Sequence, residues 1–401
     1  NSTFHAVYLK NSNNTIVDQN NVTNNNYGIY LYNAQNNSLT ENTVANNTRI
    51  GIYANTDSNN NNIQNNTLTD NQYGINTYNC LNNIIAGNFI SNALSYGVYL
   101  SNSVQNTITL NTINGCNSTG ICLNTNSNDN YILENILTSN LNGIVVRNSL
   151  NNIFSGNEVN NCSSYAFYLN NVNNTAISQN NITGNNYGLY LYNSQNNIVN
   201  QNTRTNNTRI GICINTNSNN NNIQNNTLTG NQYGINTYNS QNNTIIGNNV
   251  LNSTYYGIYF SNSTQTTITQ NIINNSNSTG IYLNTNSTSN NIQNNSVSGN
   301  RYGIYLNNNS NNNYIQNNIL SLNQYGLYGY INQNIIITSN TINNNTYDGI
   351  YLYNSSAVIS FNRIAGNGRY GLYKVGSGTV TAVNNWWGSN TPQVSSASHS
   401  D

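Results

Sequence analysis

Apolar and polar residues alternate along this chain in short runs, and the runs return on a fixed beat. YGIYLYN, IGIYANT, YGINTYN, YGVYLSN and TGICLNT are variants of one string. Its glycines stand at Gly28, Gly51, Gly74, Gly97, Gly120 and Gly143 and resume from Gly188 to Gly371, with Ala6 and Ala166 in the same place. The interval is 22 or 23 residues. Ile29, Ile52, Ile75 and Val98 follow the glycine, and Leu31, Leu100 and Leu123 lie two residues further on. A period of two is the mark of a strand. No stretch repeats at three and four residues as an amphipathic helix does.

A second motif keeps the same beat, with an Asn flanked by apolar residues, as in VDQNNV, LTENTV, IAGNFI and ITLNTI. Its Asn falls at Asn20, Asn42, Asn66, Asn88, Asn111, Asn135, Asn157, Asn180, Asn202, Asn226, Asn248, Asn271, Asn295, Asn318, Asn340 and Asn362. One coil departs from the pattern, because Arg204 sits where an apolar residue belongs. Residues 27–127 match residues 187–287 at an offset of 160. About 17 such units far exceed the three or so that a solenoid needs. The pattern predicts an all-β chain, a single parallel β-helix of about 17 coils of 22 to 23 residues over 1–378. Residues 379–401 are expected to form a C-terminal cap and tail. Pro occurs once, at Pro392, which fits strands that must donate to both neighbours.

Composition changes the picture in two ways. Asn fills more than a quarter of the chain, which taken alone suggests a prion-like or amyloid sequence. Set on the 22-to-23-residue beat, Asn becomes a corner residue that tolerates the left-handed conformation. Its side chain both donates and accepts, so Asn stacked in successive coils can bond along the axis as a neutral buried ladder. Charge is the second point. Charged residues make up 4% of the chain, the net charge is zero and Met is absent. No basic surface exists to neutralise phosphates, so nucleic-acid binding is not expected. No apolar run approaches the roughly 20 residues of a membrane span.

With these motifs in place the chain resembles the right-handed parallel β-helix repeat proteins, the NosD-like group with its carbohydrate-binding and sugar-hydrolase relatives. The segment VNNWWGSNTP, residues 383–392, resembles the terminal motif of repeat proteins on archaeal cell surfaces. That resemblance implies that Trp386 and Trp387 form a structural cap over the last coil, with Pro392 ending the pairing. It also implies a scaffold that carries lyases, hydrolases, adhesins and structural proteins alike.

Candidate chemistry is sparse. The nine carboxylates are Asp18, Glu41, Asp57, Asp70, Asp129, Glu134, Glu158, Asp348 and Asp401. Glycoside hydrolysis needs two of them about 5 to 9.5 Å apart. Asp18 and Glu41 lie on adjacent coils but at different places in the motif, so they are expected to face apart. The two histidines, His5 and His399, stand at opposite ends of the sequence, and the chain has no Met for copper. No catalytic, metal or cofactor site is therefore expected. Cys80, Cys116, Cys122, Cys162 and Cys213 show no CxxC spacing. Cys116 and Cys162 share a turn position two coils apart, about 10 Å, too far for a disulfide. Arg49, Arg209, Arg301 and Arg369 each stand two residues before a repeat Gly, and a solvated corner is the expected place for them.

Tyrosine is the most informative surface feature. Tyr30, Tyr53, Tyr99, Tyr168, Tyr190, Tyr259, Tyr282, Tyr305, Tyr328 and Tyr351 occupy the outward position after the repeat Gly and its apolar neighbour. A second row precedes the Gly, including Tyr27, Tyr73, Tyr96, Tyr302 and Tyr325. Stacked at about 4.8 Å, these rings form a stripe that suits coil stiffening, a subunit interface or sugar stacking. N-x-S/T acceptor motifs for N-glycosylation include Asn21, Asn46, Asn117, Asn206, Asn252, Asn262, Asn286 and Asn354. Their total, about 22, is what this Asn and Ser/Thr content gives by chance.

The expected function is that of a non-catalytic extracellular structural protein. It would be a glycoprotein of the cell surface whose copies assemble into a filament, sheath or coat. The alternative is a polysaccharide-binding or polysaccharide-processing β-helix, or an adhesin stalk. The expected partners are copies of the chain itself and glycans.

Overall fold

The computed structural model describes residues 2–389. Pro392, His399 and Asp401 lie outside the described residues. The chain divides into two compact units, residues 1–243 and 244–401. Both are parallel β-solenoids built from three sheets, amounting to about 16 turns, and no helix occurs among the described residues.

In the first unit a coil supplies one long strand, of six residues or, at Asn142–Leu150 and Tyr165–Asn173, nine, and two three-residue strands, as in Tyr27–Tyr32, Ser38–Thr40 and Thr43–Ala45. Every strand pairs in parallel with its equivalent one coil away, Ile29 with Ile52 and Leu31 with Ala54. The second unit repeats the arrangement, with Tyr282 opposite Tyr305 and Leu283 opposite Leu306. One inward residue on each short strand and two on the long strand fill the interior; Ile29, Leu31, Leu39 and Leu68 are fully buried. Val380–Val383, in the expected cap, adds one more strand by pairing with Ala357–Ser360.

The repeat glycine is demanded by close approach. A Cβ at Gly28 would stand 2.4 Å from the carbonyl oxygen of Gly51 and 2.8 Å from a methyl of Val44. Asn has two separate jobs. Residues such as Asn14, Gln19, Asn24, Asn33 and Asn36 turn the corners with φ between 49° and 61°. The ladder Asn is the residue after such a corner, not the corner itself. Asn42 Nδ2 donates to Asn66 Oδ1 at 3.0 Å, and the Asn42 backbone N–H donates to the same oxygen at 3.0 Å. Asn66 in turn donates to Asn88 Oδ1 and to the Leu39 carbonyl. All these bonds are neutral and internal, so a buried polar column costs little.

Two further columns do the same work. One runs through Asn25, Asn47 and Asn71. The other runs through Asn37, Asn61 and Asn83. Two of the five cysteines fall into one of these columns. Cys116 and Cys162 replace ladder Asn, their backbone N–H groups still donating to Asn140 and Asn185 Oδ1 at 2.9 and 2.8 Å. Cys80 stands in a serine column and donates its N–H to Ser103 Oγ. All five are buried free thiols. Burial pushes each thiol up to about 12, which makes them poor nucleophiles.

Arg204 is fully buried. Its Nη1 donates to Asn226 Oδ1 at 3.3 Å, while Nε and Nη2 have no partner. Desolvation pushes it down to about 9. At the matching place in the other copy of the duplication stands Val44, which is fully buried and apolar.

Candidate functional site: the tyrosine face

The tyrosine face lies on the six-residue strands, where alternation turns the side chain after the inward Ile away from the core. The rings do not stand free in solvent as expected. Tyr282 is only 9% exposed, and Cys122 and Cys213, which replace Tyr in this column, are buried. The reason is lateral packing. The two expected rows merge into one aromatic layer, with Tyr302 and Tyr305 centroids 5.1 Å apart and Tyr325 and Tyr328 5.5 Å apart. Asn side chains from the next coil then hold the phenols: Asn307 Nδ2 donates to the Tyr282 hydroxyl at 2.9 Å, and Asn284 to that of Tyr259 at 3.0 Å. Desolvation raises the pKa of Tyr282, Tyr305, Tyr328 and Tyr351, so these four phenols keep their protons beyond the ordinary tyrosine range.

The units differ in this column. In the first it reads Tyr8, Tyr30, Tyr53, Asn76, Tyr99, Cys122, Val145, Tyr168, Tyr190, Cys213 and Asn236. Its longest aromatic run is three rings. In the second it is unbroken: Tyr259, Tyr282, Tyr305, Tyr328, Tyr351 and Tyr373. Tyr282 and Tyr305 stack 4.8 Å apart, and so do Tyr328 and Tyr351 at 4.5 Å, but Tyr305 meets Tyr328 edge-on at 84°. An edge-on contact leaves one face of the edge-donating ring uncovered by its column neighbour. Beside this run lies a polar cleft of about 360 Å³ lined by Asn275, Asn277, Asn300, Arg301, Asn323 and Gln324, among others.

The arginines before the repeat Gly are not merely solvated. Arg49 lies over Tyr27, Arg209 over Tyr187 and Arg301 over Tyr302, at 5.4, 5.3 and 5.1 Å from the ring centroids. Arg369 lies among Tyr347, Tyr370 and Tyr373. Arg369 Nε donates to Asp348 Oδ1 at 2.8 Å, and Nη2 donates to Oδ2. This is the one ion pair among the described residues, with Asp348 fully buried and Arg369 44% exposed. The pair was missed in the sequence, where Asp348 reads as one more scattered surface carboxylate. Its signal is register: Asp348 directly precedes Gly349, a place with no other carboxylate, held mostly by Tyr, and Arg369 is one coil on.

The other candidates sit apart. Asp18 accepts from Thr40 Oγ1 and Glu41 from Gln19 Nε2, so the two carboxylates engage different partners. Asn21, Asn46, Asn117, Asn206, Asn252, Asn262 and Asn286 are exposed. Asn354 is half-buried, and its Oδ1 accepts from the Ser377 backbone N–H at 2.8 Å. Trp387 packs over Gly371 of the last coil, whose Cβ would meet the indole at 3.0 Å. Trp386 is 43% exposed and lies under Arg363, 4.9 Å from ring to guanidinium. Only one of the two indoles therefore covers the coil.

The family model described as "Right handed beta helix region" matches residues 5–149 and 233–387. Residues 114–232 match the model described as "Periplasmic copper-binding protein (NosD)". The residues present do not fit copper: there is no Met, the thiols are buried and protonated, and no three His, Cys, Asp or Glu side chains cluster among the described residues. No curated protein matches the sequence. Among solved structures, the pre-mature bacteriophage phi29 gene product 12 is 13% identical with a TM-score of 0.54, over 90% of this chain and 58% of that one. The Dettilon tailspike protein (gp208) is 15% identical with a TM-score of 0.47, over 64% and 58%. The periplasmic alginate epimerase AlgG is 13% identical with a TM-score of 0.40, over 89% and 77%. This chain thus spans less than two thirds of the length of gene product 12 and of the tailspike protein. These likenesses show the fold. They also correct the expectation that the chain is not an enzyme, since alginate epimerases and a DFA-IIIase are among the solved structures with this architecture.

Proposed function

The chain belongs to the right-handed β-helix family, and from that premise we propose that it binds polysaccharide outside the cytoplasm, along the tyrosine face of its second unit. The observation that carries this reading is the unbroken column from Tyr259 to Tyr373 beside a cleft lined with amides. Pyranose rings present C–H groups that pack against the outer edges of the stacked tyrosines, and hydroxyls that bond to phenols and carboxamides, and this surface offers these at a repeat of about 4.8 Å. The phenols are held by Asn side chains, so little side-chain entropy is lost on binding. A polymer fits such a surface better than a single sugar, because many weak stacking contacts in register add up. Gene product 12, the tailspike protein and the epimerase share this fold, and the epimerase bears the name of a polysaccharide, which accords with the reading.

A glycan array probed with the purified chain tests the proposal. Binding to polysaccharides, strengthening with chain length and quenching tyrosine fluorescence, is the expected result. Binding to none of a broad set, or binding that ignores chain length, would sink it.

A further inference from the structure

We infer that the glycan taken by the second unit carries negative charge, as carboxylate or sulfate groups; this rests on the tyrosine-face reading and names its ligand class. A net charge of zero hides a division. Residues 1–243 hold five cations and seven carboxylates, and one of those cations is the buried Arg204. Residues 244–389 hold four cations and one carboxylate. That carboxylate, Asp348, is buried and bound to Arg369, so no exposed carboxylate stands among the described residues of the second unit. The unit with the unbroken tyrosine column is also the positive one.

Two of its cations border the column. Arg301 lines the polar cleft, lies over Tyr302, and has no carboxylate partner. Arg369 stands in the same row three coils on, roughly 14 Å away at the parallel-strand spacing. Asp348 neutralises Arg369 but fixes its orientation, leaving Nη1 as a positioned donor. Arg301, unlike Arg369, therefore brings an unpaired positive charge to the cleft, while Arg363 and Lys374 add to the unit's overall charge and Arg369 adds direction. A guanidinium matches the two oxygens of a carboxylate or sulfate ester in a bidentate bond.

The test compares cello-oligosaccharides with their C6-carboxylated and their sulfated forms, by calorimetry on the whole chain at low and high salt. The account expects a charged form to bind at least tenfold more tightly than the neutral one, with the preference shrinking as salt rises. Arg301→Gln should remove most of that preference, so that charged and neutral forms bind within about threefold of each other. Arg369→Gln strands a buried carboxylate, so the double change Arg369→Gln, Asp348→Asn is the folding-safe companion, and it should weaken the charged ligand several-fold. Preference for the carboxylated form alone, or the sulfated form alone, identifies the anion. Equal affinity for neutral and charged forms overturns this inference and leaves the tyrosine-face reading standing. Binding of none of the three overturns both.

Discussion

The two units share a backbone recipe and differ in what they display. Each folds its coils on the same continuous Asn ladder and the same inward aliphatic residues. The first unit interrupts its tyrosine column with Asn76, Cys122, Val145, Cys213 and Asn236 and carries excess carboxylates. The second keeps the column whole and carries excess cations. A solenoid lets this happen because each coil's stability depends on its neighbours only. The outward position after the inward Ile is free to vary without loss of the fold, so a continuous run there calls for a reason beyond coil formation.

The largest effect should come from separating display from scaffold. The triple change Tyr282→Ala, Tyr305→Ala, Tyr328→Ala should lower glycan affinity at least 50-fold, while Tyr30→Ala, Tyr53→Ala, Tyr99→Ala should change it less than threefold. Circular dichroism of each variant guards against unfolding. Equal losses in the two triples would erase the distinction between the units.

The scaffold, by contrast, should be equally vulnerable in both. Asn318 accepts from the Asn295 N–H and Nδ2 and donates to Asn340 Oδ1 and the Ile292 carbonyl. Asn135 does the same in the first unit with Asn111, Asn157 and Ile108. Replacing either by Leu strands several buried polar groups and should cost about 3 kcal/mol in chemical denaturation. A much smaller cost in one unit would show that its ladder is ornamental.

Arg204 gives a change of opposite sign, confined to the first unit. Arg204→Leu removes a buried guanidinium with two unpartnered nitrogens and should stabilise by about 2 kcal/mol. Its folded pKa, about 9, lies below the unfolded value, so below pH 9 the full penalty is present. The penalty shrinks as pH rises from 9 towards 12, and the advantage of the Leu variant should shrink with it. A gain that does not change over this range would contradict the assignment.

The smallest effect is alkaline sensitivity. Tyrosines with raised folded pKa contribute stability that is present below pH 10 and lost above it. Thermal melts at pH 8, 10 and 11 should hold steady to 10 and then fall. A melt that rises above pH 10 would contradict the buried, protonated face.

Much of this was legible in the sequence, and for a physical reason. A fixed coil length puts like on like, so the glycine, the inward Ile and one ladder Asn repeat strictly, and the solenoid follows. The other two ladders were obscured because their columns tolerate substitutes that still offer or accept a bond: Cys116 and Cys162 in one, Thr175 in the other. The inward and outward sides of the strand were readable from alternation, but the burial of Tyr282 was not. It depends on rings from the preceding row and on Asn307 from the next coil, which are lateral contacts that period two does not encode. The Asp348 and Arg369 pair needed the register of two adjacent coils at once.

The most direct test of the central claim is a structure of the chain bound to a long cello-oligosaccharide in its neutral or carboxylated form. The account predicts sugar rings lying along Tyr282, Tyr305, Tyr328 and Tyr351, with Arg301 at their edge. Sugar seated on the interrupted column of the first unit, or on a corner away from tyrosine, would contradict it.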